Sequence, residues 1–421
     1  MSQKMTEESK VIYFLFINAY NFLTVKASIV TSTTPLNFAE PESMIMLRST
    51  LRRFVEQEMP RELAQKWDKD DHFPRDVFDK LAQLGVMGIT IPEEYGGYGR
   101  DIMSCMVTIE ELAKRSCAIA VPYIMAACYA GMNILECASE EQKKSLLPLV
   151  ASGNLLFAYG WTEPDIGADL ANVKTTAERK GDVVVINGAK RFCSGADIAD
   201  YIYVLAKSDK TAPARKNLSF IMVPPKTPGV TITRIDAMGM KGAATTDVTF
   251  DCVEVPFKNV MGEQNGWNEG WRFLVGPGLD TEKLEVAALA LGVAEAAVED
   301  AWLYSQQRHQ FGTAISSIQS IRHALAEVQT QLHACRLVMA QAAWLSDKRI
   351  TCRAETSMAK LFICDTAKSI VLTCQSIMGA YGYVKGLDME RYVREALLMP
   401  IIGGSAMIQK NNIANALNLP R

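Results

Sequence analysis

The chain has 421 residues, a formal net charge of −3 and a hydrophobic fraction of 49%. That length calls for two or three compact units with sizeable cores. The balanced charge excludes the basic surplus of a nucleic-acid or anionic-membrane binder; from residue 281 onward, 14 Lys/Arg stand against 12 Asp/Glu.

The ten cysteines are scattered, with no C-x-x-C pair and no zinc spacing. They read as small buried hydrophobes in a reducing compartment rather than a disulfide framework. His72, His309, His323 and His333 form no triad or chelating pair, so no metal site is expected.

In chain order, Val11–Val25 is an apolar run of 15 residues, shorter than the ~20 that span a bilayer. Lys4 and Lys10 precede it, as before a signal-peptide core, but so do Glu7 and Glu8, and no A-x-A site follows. Residues 1–42 are therefore expected to be an extension outside the core.

Residues 43–153 predict a helical domain. Met46, Leu47, Leu51, Phe54 and Val55 fall at helical spacing, and periodic stretches follow at Val77–Leu84, Ile102–Leu112 and Val121–Leu135. "IPEEYGGYG" (91–99) reads as a loop. Ser139 with Gln142 makes a capping box.

Residues 154–262 predict a β domain. Its runs are Leu155–Tyr159, Val183–Ile186, Tyr201–Ala206, Leu218–Val223, Val230–Ile235 and Val248–Phe250, with a hairpin turn at "KGD" (180–182). Residues 263–421 return to helix, in periodic segments near 271–305, 315–346, 352–379 and 404–417. The fold class is α+β: a helical domain, a barrel-like β domain and a helical bundle.

Four stretches carry polar groups suited to chemistry. "YGWTEPDIGAD" (159–169) ends a strand in a glycine turn whose N–H groups suit a ring edge or a phosphate, or is simply a strand exit. "INGAKRFCSG" (186–195) places Phe192 and Ser194 at i and i+2, on one strand face, to cover a flat ring and bond its edge, or forms a plain hairpin. Arg308, beside Gly312, suits a pyrophosphate and equally suits a helix C-terminus. "GLDTEKLEVA" (278–287) sets Glu282 and Glu285 near one helix face with Asp280 turned away. A buried carboxylate there has a raised pKa and acts as a base; a solvated one does neither.

The order of motifs decides what none decides alone. "IPEEYGGYG", "TEPDIGAD", "INGAKRFCSG", "VEVPFKNVMG", "YSQQRHQFGTAI", "IMGAYGY…YVREA" and "IIGGSAMIQ" run from about residue 43 to 417. In this order they resemble the acyl-CoA dehydrogenase family, whose helix–β–helix architecture agrees.

The resemblance implies an FAD between the β domain and the C-terminal helices. Tyr159, Trp161, Thr162, Gly167 and Ala168 match the segment along the flavin; Phe192 matches an aromatic that packs on it, and Ser194 a Thr at its reactive edge. Arg308, Gln310, Phe311 and Gln319 match positions that hold the ADP part of a neighbouring subunit's FAD. Gln375, Gly379 and Ala380 match a further such segment, and Ser405 and Met407 the last flavin contacts. Shared FAD implies a homodimer or a homotetramer built as a dimer of dimers.

In most of the family the base is a Glu near the C-terminus, and Gly403 stands there instead. One branch, with isovaleryl-CoA and long-chain acyl-CoA dehydrogenases and crotonobetainyl-CoA reductase-like members, carries its base in a "D-x-E-R" segment. "LDTEK" (279–283) resembles it and places Glu282 at the base. Ala168, Asp280, Lys283 and Gly404 fall at substrate positions, with Lys283 for the usual Arg and Ala168 for a Ser.

The resemblance thus implies α,β-dehydrogenation of an acyl-CoA. Glu282 takes the α-proton, the Gly403 N–H polarises the thioester carbonyl, and electrons pass to electron-transfer flavoprotein. Bulky Trp161 suggests short or branched chains. The expected place is the cytoplasm, or the mitochondrial matrix in a eukaryote. Alternatives are an inactive FAD-binding partner subunit, an enoyl-CoA reductase running in reverse, and an oxidase.

Overall fold

The computed structural model describes residues 40–420. The Val11–Val25 run and most of the expected extension lie outside them. The N-terminal helices are α1 (Glu42–Glu58), α2 (Arg61–Asp70), α3 (Arg75–Gln83), α4 (Ile102–Ala113), α5 (Cys117–Tyr123), α6 (Gly131–Cys137) and α7 (Glu140–Ala151). α5 runs into α6 through seven π-helical residues, Ile124–Ala130. The sequence predicts one plain helix here; the π segment instead re-aims Tyr129, and such segments favour functional sites. The capping box closes on α7 as expected: Ser139 Oγ accepts from the Gln142 N–H, and Gln142 Oε1 accepts from the Ser139 N–H.

The middle unit is a seven-stranded sheet ordered β1-β4-β2-β3-β7-β6, with β5 also on β4. Its strands are β1 (Phe157–Gly160), β2 (Thr176–Lys180), β3 (Val183–Ser194), β4 (Tyr201–Lys207), β5 (Leu218–Val223), β6 (Val230–Arg234) and β7 (Thr245–Pro256). Lys180 pairs with Val183, so Gly181 and Asp182 form the predicted turn. β3 and β7 run longer than their apolar runs because bulges break their alternation.

The last unit contains α8 (Pro277–Gln307), a two-strand hairpin (β8, His309–Gln310; β9, Thr313–Ala314), α9 (Gln319–Asp347), α10 (Arg353–Met378), α11 (Met389–Leu398) and α12 (Ala406–Ala416). α8 is the central post. Its alanine-rich stretch after Leu284 is buried on nearly every face, against α4, α9 and α10. Close approach requires Gly292: a Cβ there would stand 2.3 Å from the Glu110 carbonyl oxygen of α4.

Cys117–Cys137 and Arg353–Gly382 are long and apolar enough to cross a membrane, but 83% and 44% of their apolar windows are packed inside the fold. The first is a core helix. No metal-binding cluster occurs among the described residues, and Cys105–Cys374 are all free thiols.

Candidate active site

Glu282 rises from the second turn of α8, where the β unit, the π segment and the loop between α11 and α12 meet. It is half-buried. Burial is the leading influence on it and raises its pKa. The Tyr129 hydroxyl, Lys283 and Lys360 oppose that rise, although Tyr129 makes no hydrogen bond of good geometry.

Gly403 comes to the same point from the other side, with φ +58°. A Cβ on Gly403 would stand 3.9 Å from Glu282 Oε1. The loop is held by its carbonyls. Lys360 Nζ, buried on α10, donates to the Gly404 oxygen at 2.9 Å, and Gln409 Nε2 donates to the oxygens of both Gly403 and Gly404 at 3.0 Å. Among the described residues nothing accepts from the Gly403 N–H. Ser405 caps α12, accepting from the Ile408 N–H.

Asp280 and Lys283 pair with each other. Lys283 Nζ lies 2.7 Å from Asp280 Oδ1 and 3.5 Å from Thr356 Oγ1, and is 4% exposed. The pair ties α8 to α10 beneath Glu282.

The two strand segments lie side by side. The Arg191 N–H donates to the Thr162 oxygen at 2.8 Å, and Lys190 Nζ to the Trp161 oxygen at 3.1 Å. Tyr159, Trp161 and Tyr129 form one aromatic cluster, with ring centroids 4.2–5.6 Å apart. Gly167 and Ala168 lie exposed in the turn beyond. Phe192 does not follow simple alternation with Ser194. A bulge between Lys190 and Cys193 gives it φ +59° and leaves it 58% exposed. Ser194 lines a small cleft with Pro122, Met125, Phe157 and Ala243.

Arg308, Gln310, Phe311 and Gln319 are not brought to Glu282. They sit at the far end of α8, some 40 Å away at about 1.5 Å per residue. There they face the end of α10, with the Arg308 guanidinium 5.7 Å from the Tyr381 ring, close to Gln375, Gly379 and Ala380. Phe311 is 95% exposed and Met407 66%.

Sequence reasoning missed Tyr129, Asn133 and Lys360. Lys360 had a signal, a lone lysine in the apolar stripe of its helix. Tyr129 and Asn133 had none.

A desolvated carboxylate beside a polarising loop, with bare aromatic faces next to a strand edge, is the equipment of a flavin-dependent oxidoreductase acting on a carbon acid. Family profiles for the acyl-CoA dehydrogenase N-terminal, middle and C-terminal domains match residues 41–154, 158–253 and 268–418. The probable acyl-CoA dehydrogenase YngJ of Bacillus subtilis is 34% identical over 91% of this chain and 100% of its own. The CarC subunit of the caffeyl-CoA reductase-Etf complex of Acetobacterium woodii is 33% identical over 90% and 99%. The solved butyryl-CoA dehydrogenase of Megasphaera elsdenii superposes with a TM-score of 0.86 at 29% identity, over 91% of this chain and 100% of that one. The chain belongs to the acyl-CoA dehydrogenase family, enzymes that oxidise or reduce a CH–CH bond.

FAD is its cofactor, and the residues fit it. The exposed faces of Phe192 and Met407 suit a flat apolar ring. The buried Trp161 Nε1 has no protein acceptor, and the Arg308 fork suits a pyrophosphate.

Proposed function

We propose that the protein interconverts an acyl-CoA and its trans-2-enoyl-CoA, with Glu282 as the base that moves the α-proton. The observation that carries this is the convergence of Glu282 Oε1 with the Gly403 position, 3.9 Å from a Cβ there. A base supplied from either chain segment would reach one point, so the absence of a carboxylate at Gly403 leaves the site complete. That argues against an inactive partner subunit.

Glu282, short of water, takes the α-proton. The Gly403 N–H donates to the thioester carbonyl and stabilises the charge that develops there. Bound FAD supplies the two-electron acceptor for the β-hydride. Lys360 and Gln409 keep the loop oriented, and the Asp280–Lys283 pair fixes the base helix. Trp161, packed against Tyr129 and Phe220, fills the wall and favours a compact acyl group, short or branched.

The exposed Phe311, Phe362, Leu372 and Tyr383 support a homodimer or dimer of dimers, in which the Arg308 end of one chain completes the FAD site of another. Electron-transfer flavoprotein is the electron partner, and the cytoplasm the place of action. The reductase direction is the second reading, supported by the caffeyl-CoA reductase relative.

The test is anaerobic titration of the holoprotein with acyl-CoAs, following loss of oxidised-flavin absorbance, and of the reduced form with enoyl-CoAs. Bleaching by one acyl-CoA is expected. A flavin that responds to neither set would leave only the partner-subunit reading.

A further inference from the structure

Glu285 lies one turn beyond Glu282 on α8, on the same face. It is 1% exposed, and neither of its carboxyl oxygens has a hydrogen-bond partner in the protein. No cation faces it. The titratable groups that act on it are Cys105 of α4 and Glu282; it acts in turn on Cys128 and Tyr129 of the π segment and on Tyr159 of β1. Burial, and then those neighbours, raise its pKa well above the usual carboxylate value, which favours the neutral acid.

Three more buried polar groups accompany it, the Tyr129 hydroxyl, the Tyr159 hydroxyl and Asn133 Nδ2; among the described residues none of them makes a hydrogen bond of good geometry, although Tyr129 stands near Glu282 and Asn133 near Tyr159. All three side chains are more than nine-tenths buried. Leaving a buried polar group unpaired is costly. A purely apolar acyl tail would leave Glu285 unpaired and the other three only poorly paired.

We propose that Glu285, Tyr129, Tyr159 and Asn133 form the distal wall of the acyl site, and that the substrate's acyl group carries an uncharged hydroxyl or phenol which this wall binds. The proposal rests on the reading of Glu282 as the base. Residues i and i+3 of a helix stand about 5–6 Å apart. The hydroxyl therefore lies roughly three to five bonds beyond the β-carbon, three in a 5-hydroxypentanoyl and five in a 3-(4-hydroxyphenyl)propionyl group. It donates to the Glu285 carboxyl and accepts from Asn133 or a tyrosine. A terminal carboxylate is rejected, because ionised Glu282 opposes its charge and among the described residues no cation faces Glu285 to pair with it.

The experiment compares two pairs of thioesters on the holoenzyme: pentanoyl-CoA with 5-hydroxypentanoyl-CoA, and 3-phenylpropionyl-CoA with its 4-hydroxyphenyl counterpart. Sites built to bind a substrate hydroxyl reject the analogue that lacks it strongly. At least a roughly tenfold preference in kcat/KM for the hydroxylated member of one pair is expected, retained in Glu285→Gln and lost in Glu285→Leu. Tyr129→Phe, which removes a single hydroxyl, should weaken the preference if the leucine variant does not fold. Equal use of both members, or an unchanged preference in Glu285→Leu and Tyr129→Phe, overturns the proposal and makes Glu285 a structural acid. Butyryl-CoA serves as the reference. If it and all the other thioesters leave the flavin oxidised, the dehydrogenase reading fails; calorimetric binding of the same pairs then still decides the wall's preference.

Discussion

Glu282 and Gly403, 121 positions apart in the chain, approach so closely that a Cβ on Gly403 would stand 3.9 Å from Glu282 Oε1 and only 2.8 Å from Val286 Cγ2. Gly403 also has φ +58°, where a side chain is strained. Gly403→Ala is therefore expected to lose about 1 kcal/mol or more of stability and to slow flavin reduction by pushing the loop off the base. Adding Val286→Ala removes the clash but not the backbone strain. Thermal melts and reduction rates of the two variants should show partial recovery in the double mutant.

As the proposed base, Glu282 must be ionised to work, and burial raises its pKa. The acid limb of kcat/KM is expected above the ordinary carboxylate range, with activity rising as pH rises through it. Tyr129, Lys283 and Lys360 all hold that pKa down. Tyr129→Phe and Lys360→Met should therefore each move the limb to higher pH. A limb that stays in place in both variants would assign it to another group.

Lys190 Nζ lies 2.8 Å from Glu163 Oε1, and both side chains are almost wholly buried. Glu163 also accepts from the Lys174 and Thr175 N–H groups, while Lys190 holds the Trp161 carbonyl. Removing one partner of a buried pair leaves an uncompensated charge and destabilises by about 3–5 kcal/mol. Lys190→Met should approach that loss and release FAD, since it frees the 159–163 turn. Adding Glu163→Gln should recover part of both. Denaturant midpoints and flavin content check this.

A second buried cluster lies between α4 and α8. Burial, then Glu295, pushes Glu110 up to about 7. Burial alone would raise Glu295, but its hydrogen bond with Glu110 and the charges of Arg336 and Lys114 hold it down to about 2. Glu110 Oε1 and Glu295 Oε2 have no donor of their own, as fits one proton shared between two carboxyls. For Glu110, with a raised folded pKa, the stabilisation is full below about pH 4.5 and lost as pH rises through about 7. For Glu295 it is present above about pH 4.5 and lost as pH falls toward 2. Glu110→Gln should flatten the fall in stability between pH 5 and 8, and Glu295→Gln should destabilise at pH 7. Urea midpoints at both pH values decide.

α9 was legible because it carries one regular apolar stripe, at Ile321, Leu325, Val328 and Leu332, and α8 because it is almost wholly apolar over 286–298. β2 was not: "TAERK" is mostly exposed, so its pairing with β3 rests on the backbone ladder rather than on an apolar pattern. α11 was missed because its apolar face is interleaved with Arg391, Arg394 and Glu395, buried or half-buried polar groups that bond to other elements. The π segment was invisible, since seven residues do not separate its period from that of an α-helix. At the site, "LDTEK" alone suits a solvated helix face as well as a buried one, and the order of motifs along the chain singled out Glu282. The groups around Glu285 come from the π segment, α6 and β1, and only tertiary packing brings them together.

The most direct measurement is the rate of flavin reduction in stopped flow, for wild type and Glu282→Gln holoenzyme mixed anaerobically with the acyl-CoA that bleaches wild type best. Removing a general base slows chemistry by about 10²–10⁴-fold. The account predicts a loss in that range with the thioester still bound, shown by a perturbed flavin spectrum. Reduction in the Gln variant at a rate near wild type would contradict it and place the base elsewhere.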